Sequence, residues 1–135
     1  MKKIAKIICP FVFVLFSFVA FAQDTKDNQV YDFVQRMPEF PGGQDSLNSY
    51  LIQNLVYPDS AQKNGIQGKV FIGFIVETDG TISNVKIVGN KTYGYGLEEE
   101  GLRVINMMPN WTPGTQNGKP VRVKFTLPIN FKIQN

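Results

Sequence analysis

The final strand-like run, Val121-Arg122-Val123-Lys124-Phe125-Thr126-Leu127-Pro128-Ile129-Asn130-Phe131-Lys132-Ile133, constrains the fold most. Every odd position is apolar and every even one is polar or proline, so successive side chains fall on opposite faces of a sheet. The apolar row must be covered, at about 1.5 to 3 kcal/mol per buried side chain. A helix is the expected cover. Pro128 has no N–H for a ladder, which a central strand tolerates badly and an edge strand tolerates well, so residues 121 to 133 are expected at a sheet edge. On chemistry alone, such an edge is either a liability held in check by Arg122, Lys124 and Lys132 or a docking site for an extended peptide.

The N-terminus has the order of a secretory signal. Lys2, Lys3 and Lys6 precede an apolar run from Ile7 to Phe21 that ends in Ala20-Phe21-Ala22. The expected division is a signal peptide over 1 to 22, a flexible arm over 23 to 36 and a domain over 37 to 135. The mature chain would be periplasmic or secreted. A retained inner-membrane anchor is the alternative, although the run is shorter than the ~20 residues of a spanning helix and contains Pro10.

Cleavage after Ala22 removes 3 of the 14 Lys and Arg and none of the 11 Asp and Glu, leaving a net charge of zero. No basic surplus then favours nucleic acid as a partner. The single cysteine, Cys9, leaves with the signal, so a packed core and not disulfides must hold the remaining chain. With no histidine anywhere and no other cysteine, Ser-His, Cys-His and thiolate or imidazole metal sites are excluded. No catalytic, cofactor or metal site is expected, nor a small-molecule substrate. Glu98-Glu99-Glu100 suits the first turn of a helix better than acid-base work, because adjacent helix positions do not face one another. Tyr93 and Tyr95 read as part of a surface loop, and Trp111 as a core or corner anchor.

Along the chain, the arm carries a short apolar patch, Val30, Phe33 and Val34, able to add a short strand. Pro38 to Gly43 turns the chain, and Leu47, Tyr50, Leu51 and Leu55 recur at helical spacing up to Tyr57-Pro58. A short helix over 58 to 64 closes at Gly65. Residues 68 to 77 are apolar on both faces, as in a central strand, and Asp79-Gly80 returns the chain into a strand over 82 to 89. Leu97 to Met108 reads as a helix whose Gly101 permits close approach to the sheet, and Asn117-Gly118 is a turn before the last strand. The fold expected from this order is α+β: a three-stranded antiparallel sheet in the order second, first, third (2-1-3), with helices packed on one face.

Several segments together resemble the TonB C-terminal domain in the form common in Bacteroidetes-type bacteria. They are Pro38 to Gly43, Tyr57-Pro58 with Ala61, Gly65 to Val70, Asp79-Gly80, Met108 to Gly114, Gly118 to Val121 and Pro128 to Phe131. The resemblance spans about residues 37 to 133. It implies a periplasmic domain of two helices on a three-stranded sheet, whose last strand accepts the TonB box of an outer-membrane transporter, or another envelope protein, by strand addition. The implied contact residues are Val121, Arg122, Val123, Lys124, Phe125, Thr126, Leu127 and Asn130, with Arg122, Lys124, Thr126 and Asn130 tuning which peptide fits. Self-pairing into a homodimer through the same edge is an open alternative. A full transducer of that family also has a membrane histidine and a long spacer. This chain has no histidine, and the ~14 residues before the domain reach under about 50 Å. Energy transduction by this chain alone is therefore not the first expectation; the alternative is a short membrane-anchored energy-transducer component for outer-membrane transport with an uncleaved N-terminal helix.

Overall fold

The computed structural model describes residues 28–134; the signal-peptide expectation over 1 to 22 lies outside them. The elements in order are β1 (Val30–Tyr31), α1 (Gln44–Asn54), α2 (Asp59–Lys63), β2 (Gly68–Val76), β3 (Ile82–Val88), α3 (Leu97–Asn106), β4 (Thr115–Gln116), β5 (Lys119–Pro120) and β6 (Arg122–Phe131). Among the described residues no helix is long and apolar enough to cross a membrane.

β2 supplies the middle of the sheet because its side chains are buried on both faces over its second half. Val70, Ile72, Phe74 and Val76 lie in the core, and Gly73 and Ile75 are buried on the opposite side. It pairs antiparallel with β3 through the Asp79-Gly80 turn and antiparallel with β6 from Gly68↔Phe131 to Val76↔Val123. The β2/β3 register shifts between Gly73 and Ile75, where β3 carries an extra residue and Asn84 takes φ +55. This is bulge geometry, which strengthens the local twist.

The expected three-stranded antiparallel sheet in the order 2-1-3 is wrong. The main sheet has four strands in the order β1-β6-β2-β3 and is mixed, because β1 joins β6 in parallel (Val30↔Arg122, Tyr31↔Val123). A separate ribbon, β4 with β5, turns at Asn117-Gly118. The edge assignment for 121 to 133 changes with this: β6 is the second strand of the sheet, and its outer flank is occupied at Arg122 and Val123. Two-residue strands are too short for period-two alternation to reveal, and β1 owes its place to the partner strand.

The core lies between the sheet and its helices and includes Leu47 of α1, Ala61 of α2, Leu97 and Ile105 of α3, and Leu127, Ile129 and Phe131 of β6. Trp111 is 3% exposed, with its ring against Phe40, Phe74 and Phe125 at centroid distances of 5.2 to 5.8 Å. α1 is pinned to α3 by polar contacts at their ends. The Tyr50 hydroxyl donates to the Val104 carbonyl at 2.8 Å, and Arg103 Nη2 donates to the Asn54 carbonyl at 2.9 Å. Gly101 meets β2 closely, since a Cβ there would stand 2.7 Å from Ile72 Cδ1.

The Asp79-Gly80 turn is locked to the Trp111 segment. The Trp111 amide donates to the Gly80 carbonyl at 2.8 Å, and a Cβ on Gly80, at φ +85, would stand 2.1 Å from the Trp111 carbonyl oxygen. Gly118, at φ +74, faces open space. Gly118→Ala should therefore cost only the left-handed penalty, about 1 kcal/mol. Gly80→Ala adds a backbone collision and should cost about 3 kcal/mol or more. Urea unfolding of the two variants measures the difference, and equal losses would contradict the close approach.

Candidate partner-docking edge

The candidate site is the flank of β6 that faces away from β2. β2 covers the inner flank along Val123 to Phe131, while β1 covers the outer flank only at Arg122 and Val123. From Lys124 to Phe131 no strand among the described residues lies on the outer side. Lys124, Thr126, Pro128 and Asn130 are exposed; Leu127, Ile129 and Phe131 are buried; Phe125 is half-buried, its ring 5.7 Å from Phe74 and 5.2 Å from Trp111.

Two grooves border this flank. One, of about 420 Å³, lies between the arm (Asp32, Phe33, Met37) and Lys124, Phe125 and Thr126. The other, of about 330 Å³, lies between α1 and the far end of β6 and includes Leu51, Ile52, Leu55, Ile129 and Phe131. The two most exposed large apolar side chains of the described residues, Phe33 at 87% and Ile52 at 82%, line one groove each. Sequence reasoning named neither as a site residue. Ile52 was detectable in principle, because it is apolar yet falls off the Leu47, Tyr50, Leu51, Leu55 stripe.

The expected contact residues are thus not equivalent. Lys124, Thr126 and Asn130 present side chains and lie beside the open flank. Phe125 and Leu127 offer that flank little, since their side chains enter the core or its margin and they lie opposite Phe74 and Ile72 of β2. Val121 lies before β6, and its amide donates to the Gly114 carbonyl at 2.9 Å. Val123 is fully buried and has a strand on each side.

Arg122 is engaged within the chain. Its Nε donates to Glu77 Oε2 at 2.7 Å, its Nη2 to Glu77 Oε1 at 3.1 Å and its Nη1 to the Asn28 carbonyl at 2.9 Å. The bonds from Arg122 hold the Glu77 carboxyl below its ordinary range; partial burial opposes this and the Ser83 hydroxyl adds to it. The Arg122 guanidinium is correspondingly raised. Lys124 and Lys132 have no carboxylate within ion-pair distance among the described residues, where the salt bridges are Arg103–Glu100 and Arg122–Glu77.

Two members of the acidic triplet make structural contacts, and Glu99 is exposed. Glu98 accepts from the amides of Tyr93 and Gly94, tying the preceding loop to α3. Glu100 accepts from the Val56 amide at 2.8 Å and pairs with Arg103. Tyr93 packs over Gly68, where a Cβ would strike its ring. No group of three metal-ligating side chains occurs among the described residues.

An α+β domain that, among the described residues, leaves one flank of a long strand without a paired strand has the geometry of a protein-interaction module. Residues 53–133 match the family described as the Gram-negative bacterial TonB protein C-terminal, and the chain belongs to that family. Among solved structures, the solution structure of the Helicobacter pylori TonB C-terminal domain is 23% identical, covers 70% of this chain and 88% of its own, and has a TM-score of 0.50, which supports the fold. A shorter form of that domain is 22% identical, covers 65% of this chain and 90% of its own, and has a TM-score of 0.42. No curated protein matches the sequence.

Because Glu77 titrates below its ordinary value near 4.5, its contribution to stability is complete at neutral pH and is lost as pH falls through the depressed value. Glu77→Gln should melt at a lower temperature than the parent at pH 7, and the gap should close as pH falls through the depressed value. Thermal unfolding across pH checks this; a gap that persisted unchanged at low pH would contradict it.

Proposed function

We propose that this domain acts in the periplasm as a recognition module that takes an extended peptide, such as the TonB box of an outer-membrane transporter, as an added strand along residues 124 to 131 of β6. The observation carrying this reading is the asymmetry of β6, paired along its length on one flank and, among the described residues, without a paired strand beyond Val123 on the other. Membership in the TonB C-terminal family supports it.

Backbone chemistry supplies the affinity. Alternate residues of an antiparallel strand direct their N–H and C=O groups to opposite flanks. Pro128, opposite Phe71, costs no ladder bond if its set faces outward, and the outward set is then Lys124, Thr126, Pro128 and Asn130. Each bond to a guest contributes about 0.5 to 1.5 kcal/mol net. Side chains supply selection. Apolar guest residues on the helix side reach the groove at Leu51, Ile52 and Leu55, while Lys124 and Lys132 favour acidic residues nearby.

Titration of the isotopically labelled protein with a TonB-box peptide should move amide resonances between 124 and 131; shifts confined to other regions would rule out this mode. Thr126→Pro removes one outward N–H and should weaken binding several-fold to about tenfold, as expected for one lost bond. The melting temperature should change little. An unchanged affinity would remove Thr126 from the outward set.

A further inference from the structure

The arm occupies the head of the flank on which the docking reading rests. We propose that residues 28 to 33 form an exchangeable strap: β1 is an internal occupant of the guest position, and a guest strand that extends past Thr126 towards Arg122 must displace it.

The geometry of the arm divides into an anchored and a weakly held part. From Gln35 onward it is fastened to the ribbon and the segment before it. The Gln35 amide donates to Gln116 Oε1 at 2.9 Å, and the Asn117 amide donates to Gln35 Oε1 at 2.9 Å. Arg36 bridges Thr115 and Glu39 bridges Thr112, each through reciprocal main-chain bonds of 2.8 to 3.1 Å. The part before it pairs with β6 over two residues only, Val30 and Tyr31, both half-buried, with exposed residues Gln29 and Asp32 on either side. A pairing of two residues at the margin of a sheet is short enough to open locally without unfolding the strands beside it.

Opening also leaves no buried charge without a partner. Arg122 holds the strap through Nη1 on the Asn28 carbonyl, but its Nε and Nη2 remain on Glu77 when that bond is lost. After Tyr31 the arm bows away from β6, and Asp32 and Phe33 form the far wall of the groove beside Lys124 to Thr126. A guest strand advancing along 124 to 126 therefore meets Asp32 and Phe33 head-on. The strap shares its flank with positions 124 to 131, so guest and strap compete for one continuous row of main-chain groups.

The strap predicts competition between tethered and untethered copies of the same segment. A capped peptide with the sequence of residues 28 to 34 is titrated, by amide NMR, into the full chain and into the full chain carrying Val30→Pro with Tyr31→Pro. Unchanged amide exchange across β2 serves as the check that the variant is folded. The peptide should shift resonances from Arg122 to Thr126 in the variant and bind it about tenfold more tightly than the parent, where a tether of this length holds the internal copy at millimolar effective concentration. Equal affinities, shifts elsewhere or no binding to the variant would overturn the strap.

A second measurement needs no substitution. Saturating the parent with a TonB-box peptide should move the Val30 and Tyr31 amides to unpaired-chain positions. Binding at 124 to 131 that leaves those two amides unmoved retains the docking reading and overturns the strap. Failure of the TonB-box peptide to bind, with the arm peptide binding the variant, rejects the docking reading and keeps the strap.

Discussion

The antiparallel pairing of β2 with β6 is the interaction on which the rest of the domain depends. It runs without a shift from Gly68↔Phe131 to Val76↔Val123 and sets the even residues of β2 and the odd residues of β6 on the helix side. A slip of one residue would carry one of those rows to the opposite face, so the apolar alternation of both strands enforces a single register. At about 1.5 to 3 kcal/mol for each buried side chain, those rows outweigh any polar contact in the fold. The helices, the Trp111 cluster and the close approach of Gly101 all follow from covering that one face.

That pairing also explains how a well-packed strand can remain open to a partner. β6 gains its stability from its inner flank and its odd side chains, and neither depends on what lies along its outer flank beyond Val123. The ionic groups are distributed in a compatible way. Glu77, Glu98 and Glu100 are committed to Arg122, to the Tyr93–Gly94 amides and to Arg103 with the Val56 amide. Lys124 and Lys132 lie beside the open flank, with no carboxylate partner among the described residues. A guest strand would thus meet main-chain donors and acceptors edged by positive charge, with an exposed apolar side chain at either end, Phe33 and Ile52.

Much of the fold was legible because its longest elements carry strong periodic signals. The alternation over 121 to 133 became β6 over 122 to 131, and the two-faced apolar run at 68 to 77 became the strand between β6 and β3. The Asp79-Gly80 pair gave the hairpin between them because its geometry is local to the turn. The sheet's full composition was not legible. The arm's apolar patch at Val30 allowed a short strand, but not its partner or its parallel direction; this pairing and the Thr115 to Pro120 ribbon are each two residues long, too short to have a period. Of the candidate site, the strand itself was readable. The engagement of Arg122 by Glu77 and Asn28, across 45 and 94 residues, was not.

The sequence alone determined that the last strand is one-sided, that a proline interrupts its main-chain donors, and that the given sequence holds no histidine and a single cysteine, since these are properties of residue order and composition. Only the tertiary structure decided how much of that strand is open. Whether a backbone group is paired depends on which distant segment reaches it, and here a two-residue stretch of the arm reaches Arg122 and Val123 and then turns away, so that among the described residues no strand lies beside Lys124 to Phe131 on that side.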